Sequence, residues 1–158
     1  MTSHEPLVVG PGIKTGLNIK LDNPAQLGSD RVVGAVAAIA QYPKPIIVID
    51  MGTATTFCAI NELGEHLGGI IYPGVKISLD ALTQMASNLS GISLTKPKKV
   101  IGSNTADSMK SGILYGNASM IDGMIDRFEE ELGKTATIVA TGGLSETIIP
   151  FCKHKIIF

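Results

Sequence analysis

The run Ile46-Ile47-Val48-Ile49-Asp50-Met51-Gly52-Thr53-Ala54-Thr55-Thr56-Phe57 ends a β-branched stretch in one acidic residue, directly before a glycine turn lined with hydroxyls. The stretch reads as a buried strand and Gly52 as the tight turn. Glycine has no side chain, so the turn's backbone amides can come close to a phosphate. Thr53, Thr55 and Thr56 add hydroxyls there, and Asp50 stands where a carboxylate holds a cation against that phosphate. An ordinary hairpin with a threonine-rich turn is the plain alternative; the length of D-x-G-T-A-T-T favours phosphate chemistry.

Two further glycine turns carry polar groups. In Gly28-Ser29-Asp30-Arg31, Asp30 sees the positive end of a following helix, which favours its ionised form. The spacing alone favours plain N-capping for Asp30. The chemical role open to it is general base toward an alcohol, with Arg31 holding a substrate carboxylate. Arg31 is one of only two arginines and opens a helix with almost no other charge. A cation at a helix N-terminus is mildly unfavourable, so it calls for a compensating contact. The third turn, Ala140-Thr141-Gly142-Gly143, lets a ligand or the next helix come close; Asn104-Thr105 is explained by Asn104 as a helix cap. No Walker loop is present, no Ser-His-Asp or Cys-His set stands out, and Gly10-Pro11-Gly12 is not a dinucleotide fingerprint. Phosphoryl transfer, which needs mainly positioning and charge neutralisation, is the chemistry these turns fit best.

The elements that must position these turns follow from periodicity and breakers. A short strand is expected at 6–9 and an extended piece near Leu17–Leu21. Arg31–Gln41 is apolar nearly all round and predicts a helix buried on most faces, N-capped by Ser29 or Asp30 and ended by Pro43 and Pro45. Strands at 46–50, 55–60 and 66–71, joined by turns at Met51–Ala54 and Asn61–Gly64, predict an antiparallel three-strand meander. Helices follow over about 76–88 and from Asn104 to Leu132, the second with Asp107 completing a capping-box variant and Gly133 as C-cap. Gly112, Gly116 and Gly123 inside that helix predict a kink or a close crossing. A strand at 137–141, a short helix at 144–149 and a strand at 155–158 complete an α/β pattern.

The 158 residues have a mean hydropathy of +0.29 and a net charge of −1, enough for one domain with a core. Lys96, Lys98 and Lys99 are broken by Pro97, and aromatics are 4% with no tryptophan, so a nucleic-acid surface is not expected. Cys58 and Cys152 read as buried free thiols in a reducing compartment, and the three histidines show no ligand spacing for zinc. With neither a signal-peptide pattern nor a membrane-length apolar run, a cytoplasmic location is expected.

Taken in order, L-V-V-G-P-G-I-K-T-G-L-N-I at 7–19, D-N-P-x-x-x-G-S-D-R at 22–31, D-M-G-T-A-T-T-F at 50–57, L-G-G-I-I-Y-P-G at 67–74, S-N-T-A-D-S-M-K-S-G at 103–112 and A-T-G-G-L at 140–144 resemble the type III pantothenate kinases over nearly the whole chain. The resemblance implies an actin-like, ribonuclease-H-like ATPase fold built from two halves, with the meander extended by parallel strands and flanked by helices. It implies ATP-dependent phosphorylation of pantothenate, the opening step of coenzyme A synthesis, by a homodimer using Mg²⁺ and a monovalent cation (K⁺ or NH₄⁺). Carried onto this chain, Asp30 is the proton acceptor, and Gly28, Ser29, Arg31 and Thr105 bind pantothenate. Asp50 binds the monovalent cation, Thr53 with Gly52 contacts ATP, and Gly142 and Gly143 lie near the nucleotide.

One departure stands beside the match. The family opens with a D-x-G-N-T loop for ATP phosphates and Mg²⁺, and only six residues precede Leu7 here. The expectation is that residues 1–158 form the second half of the enzyme, truncated at both ends and inactive alone. A non-catalytic regulatory or binding protein that keeps the fold is the alternative. Another actin-like kinase, for a sugar or acetate, is disfavoured by G-S-D-R and S-N-T.

Overall fold

A computed structural model describes Val9, residues 13–85 and residues 92–158. Among the described residues five strands form one sheet in the order β1-β4-β3-β2-β5. They are β1 (Asn18–Ile19), β2 (Ile46–Met51), β3 (Ala54–Ile60), β4 (Glu65–Pro73) and β5 (Thr137–Thr141). β2, β3 and β4 make the expected antiparallel meander, while β1 joins β4 and β5 joins β2 in parallel. The Asn61–Gly64 turn is held by Asn61, whose side-chain oxygen accepts from the Leu63 and Glu65 amides at 3.0 and 2.9 Å. Gly64 takes φ +79°, which a side chain would resist.

The alternation of β2 divides the core. Ile46 and Val48 face α1 (Ser29–Gln41), packing with Ala35, Ala38, Cys58 and Ile60. Ile47, Ile49 and Met51 face the other side, where α3 (Thr105–Leu132) brings Ile113, Leu114, Ala118, Ile121 and Ile125 against them. By the same alternation Asp50 belongs to the α1 face. α2 (Val75–Met85) runs from the end of β4.

Several expectations need correction. α1 starts at Ser29, its N-cap is Gly28, and no side chain caps it, so neither Ser29 nor Asp30 is the cap. Asp30 instead sits in the first helical turn, with its carboxylate folded back over Gly28 so tightly that a Cβ there would lie 2.5 Å from Oδ1. Only Ala35 and Ala38 of α1 are buried, and Val33 is 49% exposed, because among the described residues no second layer covers its outer face. α3 is one continuous helix; among the described residues a Cβ at Gly112, Gly116 or Gly123 would meet nothing within 4 Å, so no described element crosses closely there. Its caps are as expected: the Asn104 side chain accepts from the Asp107 amide at 2.9 Å, and Gly133 is left-handed at φ +69°.

The expected helix at 144–149 is the single turn α4 (Ser145–Ile148), followed by a 3₁₀ turn at Ile149–Phe151 that holds Pro150. The expected strand at 155–158 reduces to one parallel bridge, Ile157 to Val139, because among the described residues it meets only the outer edge of β5. The strand expected at 6–9, apart from Val9, and the end of the helix expected over 76–88 lie outside the described residues.

Candidate active site

Asp50 is the penultimate residue of β2 and lies opposite Thr56 on β3 and beside Thr141 on β5. Two residue pairs further along, Cys58 opposes Val48 on the same face. α1 crosses above them and contributes Asp30, Arg31 and Gly34. These eight side chains and backbones enclose a cavity of about 30 Å³, room for about one water. Asp30 and Asp50 therefore share one cavity, as the sequence motifs require.

The electrostatics of the cavity are unbalanced. Asp50 is held above the usual carboxylate range, first by burial and then by the neighbouring Asp30 charge. No ion pair among the described residues involves Asp50. Arg31 finds its compensating contact in a thiol rather than a carboxylate: its Nε donates to Cys58 Sγ at 3.4 Å. Burial pushes the Cys58 thiol up, opposed by the hydrogen bond and charge of Arg31. The Arg31 guanidinium extends over Gly69, where a Cβ would lie 3.2 Å from Nη2 and would also collide with the Phe57 carbonyl.

The hairpin turn is Gly52-Thr53, both exposed, closed by the Gly52 amide donating to the Ala54 carbonyl at 3.1 Å. Gly74, just before α2, packs so closely under Thr53 that a Cβ there would lie 2.0 Å from the Thr53 carbonyl oxygen. Gly142 closes the other side at φ +96°; a Cβ there would lie 2.6 Å from the Met51 backbone and 2.7 Å from Asp50 Oδ1. The Leu144 amide, donating to the Met51 carbonyl at 3.4 Å, ties this turn to the end of β2.

Of the residues singled out from sequence, Asp30, Arg31 and Asp50 line one cavity, Gly142 touches Asp50, and a Cβ on Gly52 would lie 3.7 Å from Asp50. Gly28 and Ser29 are exposed at the start of α1, and Gly143 is open to its surroundings. Thr105 is not among them: it is the exposed first residue of α3, on the opposite face of the sheet. Of the turn threonines, Thr56 lines the cavity, whereas Thr55 is buried opposite Met51 with its hydroxyl unpartnered among the described residues. Sequence reasoning left Cys58 out of the site, reading it as a buried free thiol, while Thr141, Gly69 and Gly74 stood in glycine-bearing segments it quoted without a role of their own. Counting by twos from Asp50's partner Thr56 would have found Cys58; the others depend on which strands become neighbours.

A mixed sheet carrying this hairpin and this helix has the actin-like ATPase fold. It superposes on an archaeal actin homolog with a TM-score of 0.51, at 21% identity over 80% of this chain and 47% of that one. A structure from Campylobacter jejuni described as a Baf family transcriptional activator gives 0.50, at 22% identity over 80% and 56%. The type III pantothenate kinase family model matches residues 1–127. Type III pantothenate kinases of Halalkalibacterium halodurans and Bacillus cytotoxicus are 53% and 51% identical over 143 and 144 residues, 90% and 91% of this chain. The chain belongs to the type III pantothenate kinase family. It spans about half the length of these curated relatives, 56% and 55%. Among the described residues no helix is long and apolar enough to cross a membrane.

Proposed function

We propose that this chain is the acceptor-binding, base-carrying half of a kinase that phosphorylates pantothenate with ATP in coenzyme A synthesis. The observation that carries this reading is the single cavity lined by Asp30, Arg31 and Asp50. Arg31 binds the pantothenate carboxylate through guanidinium nitrogens that no described carboxylate occupies. Asp30 accepts the proton of the terminal hydroxyl as its oxygen forms a bond to the γ-phosphorus and the bond to the ADP oxygen breaks. Gly28 and Ser29 shape the approach to Asp30.

Asp50 fits a cation. It is a half-buried carboxylate facing a second carboxylate, without an ion-pair partner among the described residues, and a bound K⁺ or NH₄⁺ relieves both penalties. Gly52 and Thr53 present exposed backbone to the ATP phosphates, with Gly142 and Gly143 beside the nucleotide. Mg²⁺ neutralises charge on the phosphates; no residue of this chain is assigned to it.

The rest of the reading follows the family. The protein works as a cytoplasmic homodimer, without nucleic-acid or membrane partners, and residues 1–158 act as one domain. Thr105, across the sheet from Asp30, meets pantothenate from a second copy. The chain binds pantothenate.

Calorimetric titration of pantothenate into the protein tests this. Wild type and Asp30→Asn are expected to bind, and Arg31→Gln to lose about tenfold or more in affinity, the scale of a charge-assisted hydrogen bond. Binding unaffected by Arg31→Gln would refute the assignment.

A further inference from the structure

Arg31 lines one cavity with two carboxylates, Asp30 and Asp50, and among the described residues forms an ion pair with neither. A guanidinium on a long, flexible stem is drawn to a carboxylate so close by. Swung onto Asp30 or Asp50, it would be used up inside the protein, and the general base or the cation site would be used up with it. A contact that holds it elsewhere is required.

That contact is present. Among the described residues the one side-chain hydrogen bond of Arg31 runs from Nε to Cys58 Sγ, at 3.4 Å. Cys58 is buried and fixed in β3, where it packs with Ala35, Ala38, Val48 and Ile60. Its partner across the ladder is Gly69 of β4. Gly69 is also the residue under Nη2, which would stand 3.2 Å from a Cβ there. The guanidinium therefore rests on one cross-strand pair, a thiol under Nε and bare backbone under Nη2. The ladder is regular as far as the next pair, Ala59 with Gly68. Beyond it Ile60 pairs with His66, which leaves Leu67 as the extra residue of a bulge.

A thiol suits this task. Its sulfur is a weak acceptor and, because burial keeps it protonated, an uncharged one. A carboxylate at this place would neutralise Arg31, and an apolar side chain would leave Nε without a partner. The thiol occupies one N–H and leaves the positive charge intact. With Nε occupied, the side-on approach to the fork is closed, and a carboxylate is received end-on by Nη1 and Nη2. Resting on the assignment of Arg31 to the acceptor's carboxylate, we propose that Cys58 is a positioning residue for Arg31. Together with Gly69 it holds the guanidinium off Asp30 and Asp50 and presents Nη1 and Nη2 to the pantothenate carboxylate.

The test is a double-mutant cycle read by calorimetric titration of pantothenate. Cys58→Ala is expected to weaken binding about threefold to tenfold, the scale of one neutral hydrogen bond and one side chain left to be ordered by the ligand. Cys58→Ser, whose hydroxyl still accepts, is expected to keep most of the affinity. In an Arg31→Gln background, Cys58→Ala is expected to change nothing further, because its effect runs through Arg31. A lost packing contact would instead weaken both backgrounds alike, and that result would overturn the proposal. So would a folded Cys58→Ala that binds as wild type does. Wild-type binding indifferent to Arg31→Gln would overturn the Arg31 assignment and this proposal together. Should Cys58→Ala fail to fold, the wild-type Nε–H signals decide. The chain has two arginines, Arg31 and the exposed Arg127, so Arg31→Gln assigns both signals in ¹⁵N NMR. The Arg31 Nε–H is expected to exchange with water more slowly than that of Arg127; equal rates would overturn the proposal.

Discussion

Asp50 is placed at some expense to the fold. Burial and the Asp30 charge hold its pKa above the ordinary 3.8, so folding favours its protonated form. The sign follows: its destabilising contribution is present above its folded pKa and disappears as pH falls through the interval between the folded value and 3.8. Asp50→Asn is therefore expected to raise Tm at pH 7 in calorimetric melts, and to lose the gain near pH 3. A lower Tm at pH 7 would show that Asp50 is stabilised by contacts the cavity does not contain. At this scale the sequence was most informative. Asp30, Arg31 and Asp50 were recognisable because a charge beside glycine, at the end of an apolar run, is a local signal. The partner of Arg31 was not, since Cys58 meets it only after β3 folds beneath α1.

At the scale of elements, the glycines separate into two kinds that the sequence does not distinguish. Gly142 is required by contact: its φ of +96° and the Met51 backbone, 2.6 Å from a would-be Cβ, leave no room for a side chain. Gly142→Ala is expected to cost about 2 kcal/mol or more, through strain and displacement of β5 from β2, read as a shifted denaturation midpoint. Gly116 faces open space, so Gly116→Ala should stabilise α3 by about 0.5–1 kcal/mol in protein diluted to monomer. A loss of stability at Gly116, or none at Gly142, would contradict the packing described here. The meander, the α3 caps and the turn at Asn61–Gly64 were legible because hydrophobic period and capping residues act within a few positions. The bulge at Leu67, the open α3 glycines and the loss of the last strand were not, because each is set by the neighbour an element acquires.

At the scale of the whole molecule, the sheet sorts its two faces by task. The α3 face is almost wholly apolar core, while the α1 face carries Asp50, Thr56, Cys58 and His66 beneath Asp30 and Arg31. α3 is about 42 Å long at about 1.5 Å per residue, against about 20 Å for β2. Its buried positions begin at Ser111, so Thr105 stands at the end that lacks them. In the proposed dimer, Thr105 of one copy meets the site around Asp30 of the other. In sedimentation, pantothenate is expected to shift the wild-type chain toward dimer and to leave Arg31→Gln unshifted; a wild-type chain that stays monomeric at saturation would remove Thr105 from the site.

The most direct test of the shared cavity is an amide NMR map of the labelled chain titrated with pantothenate. Gly28 to Arg31, Asp50 to Thr56 and Thr141 to Gly142 are predicted to shift together along one binding curve. Shifts confined to one of these segments, or gathered on the opposite face around Phe128 and Leu132, would contradict it.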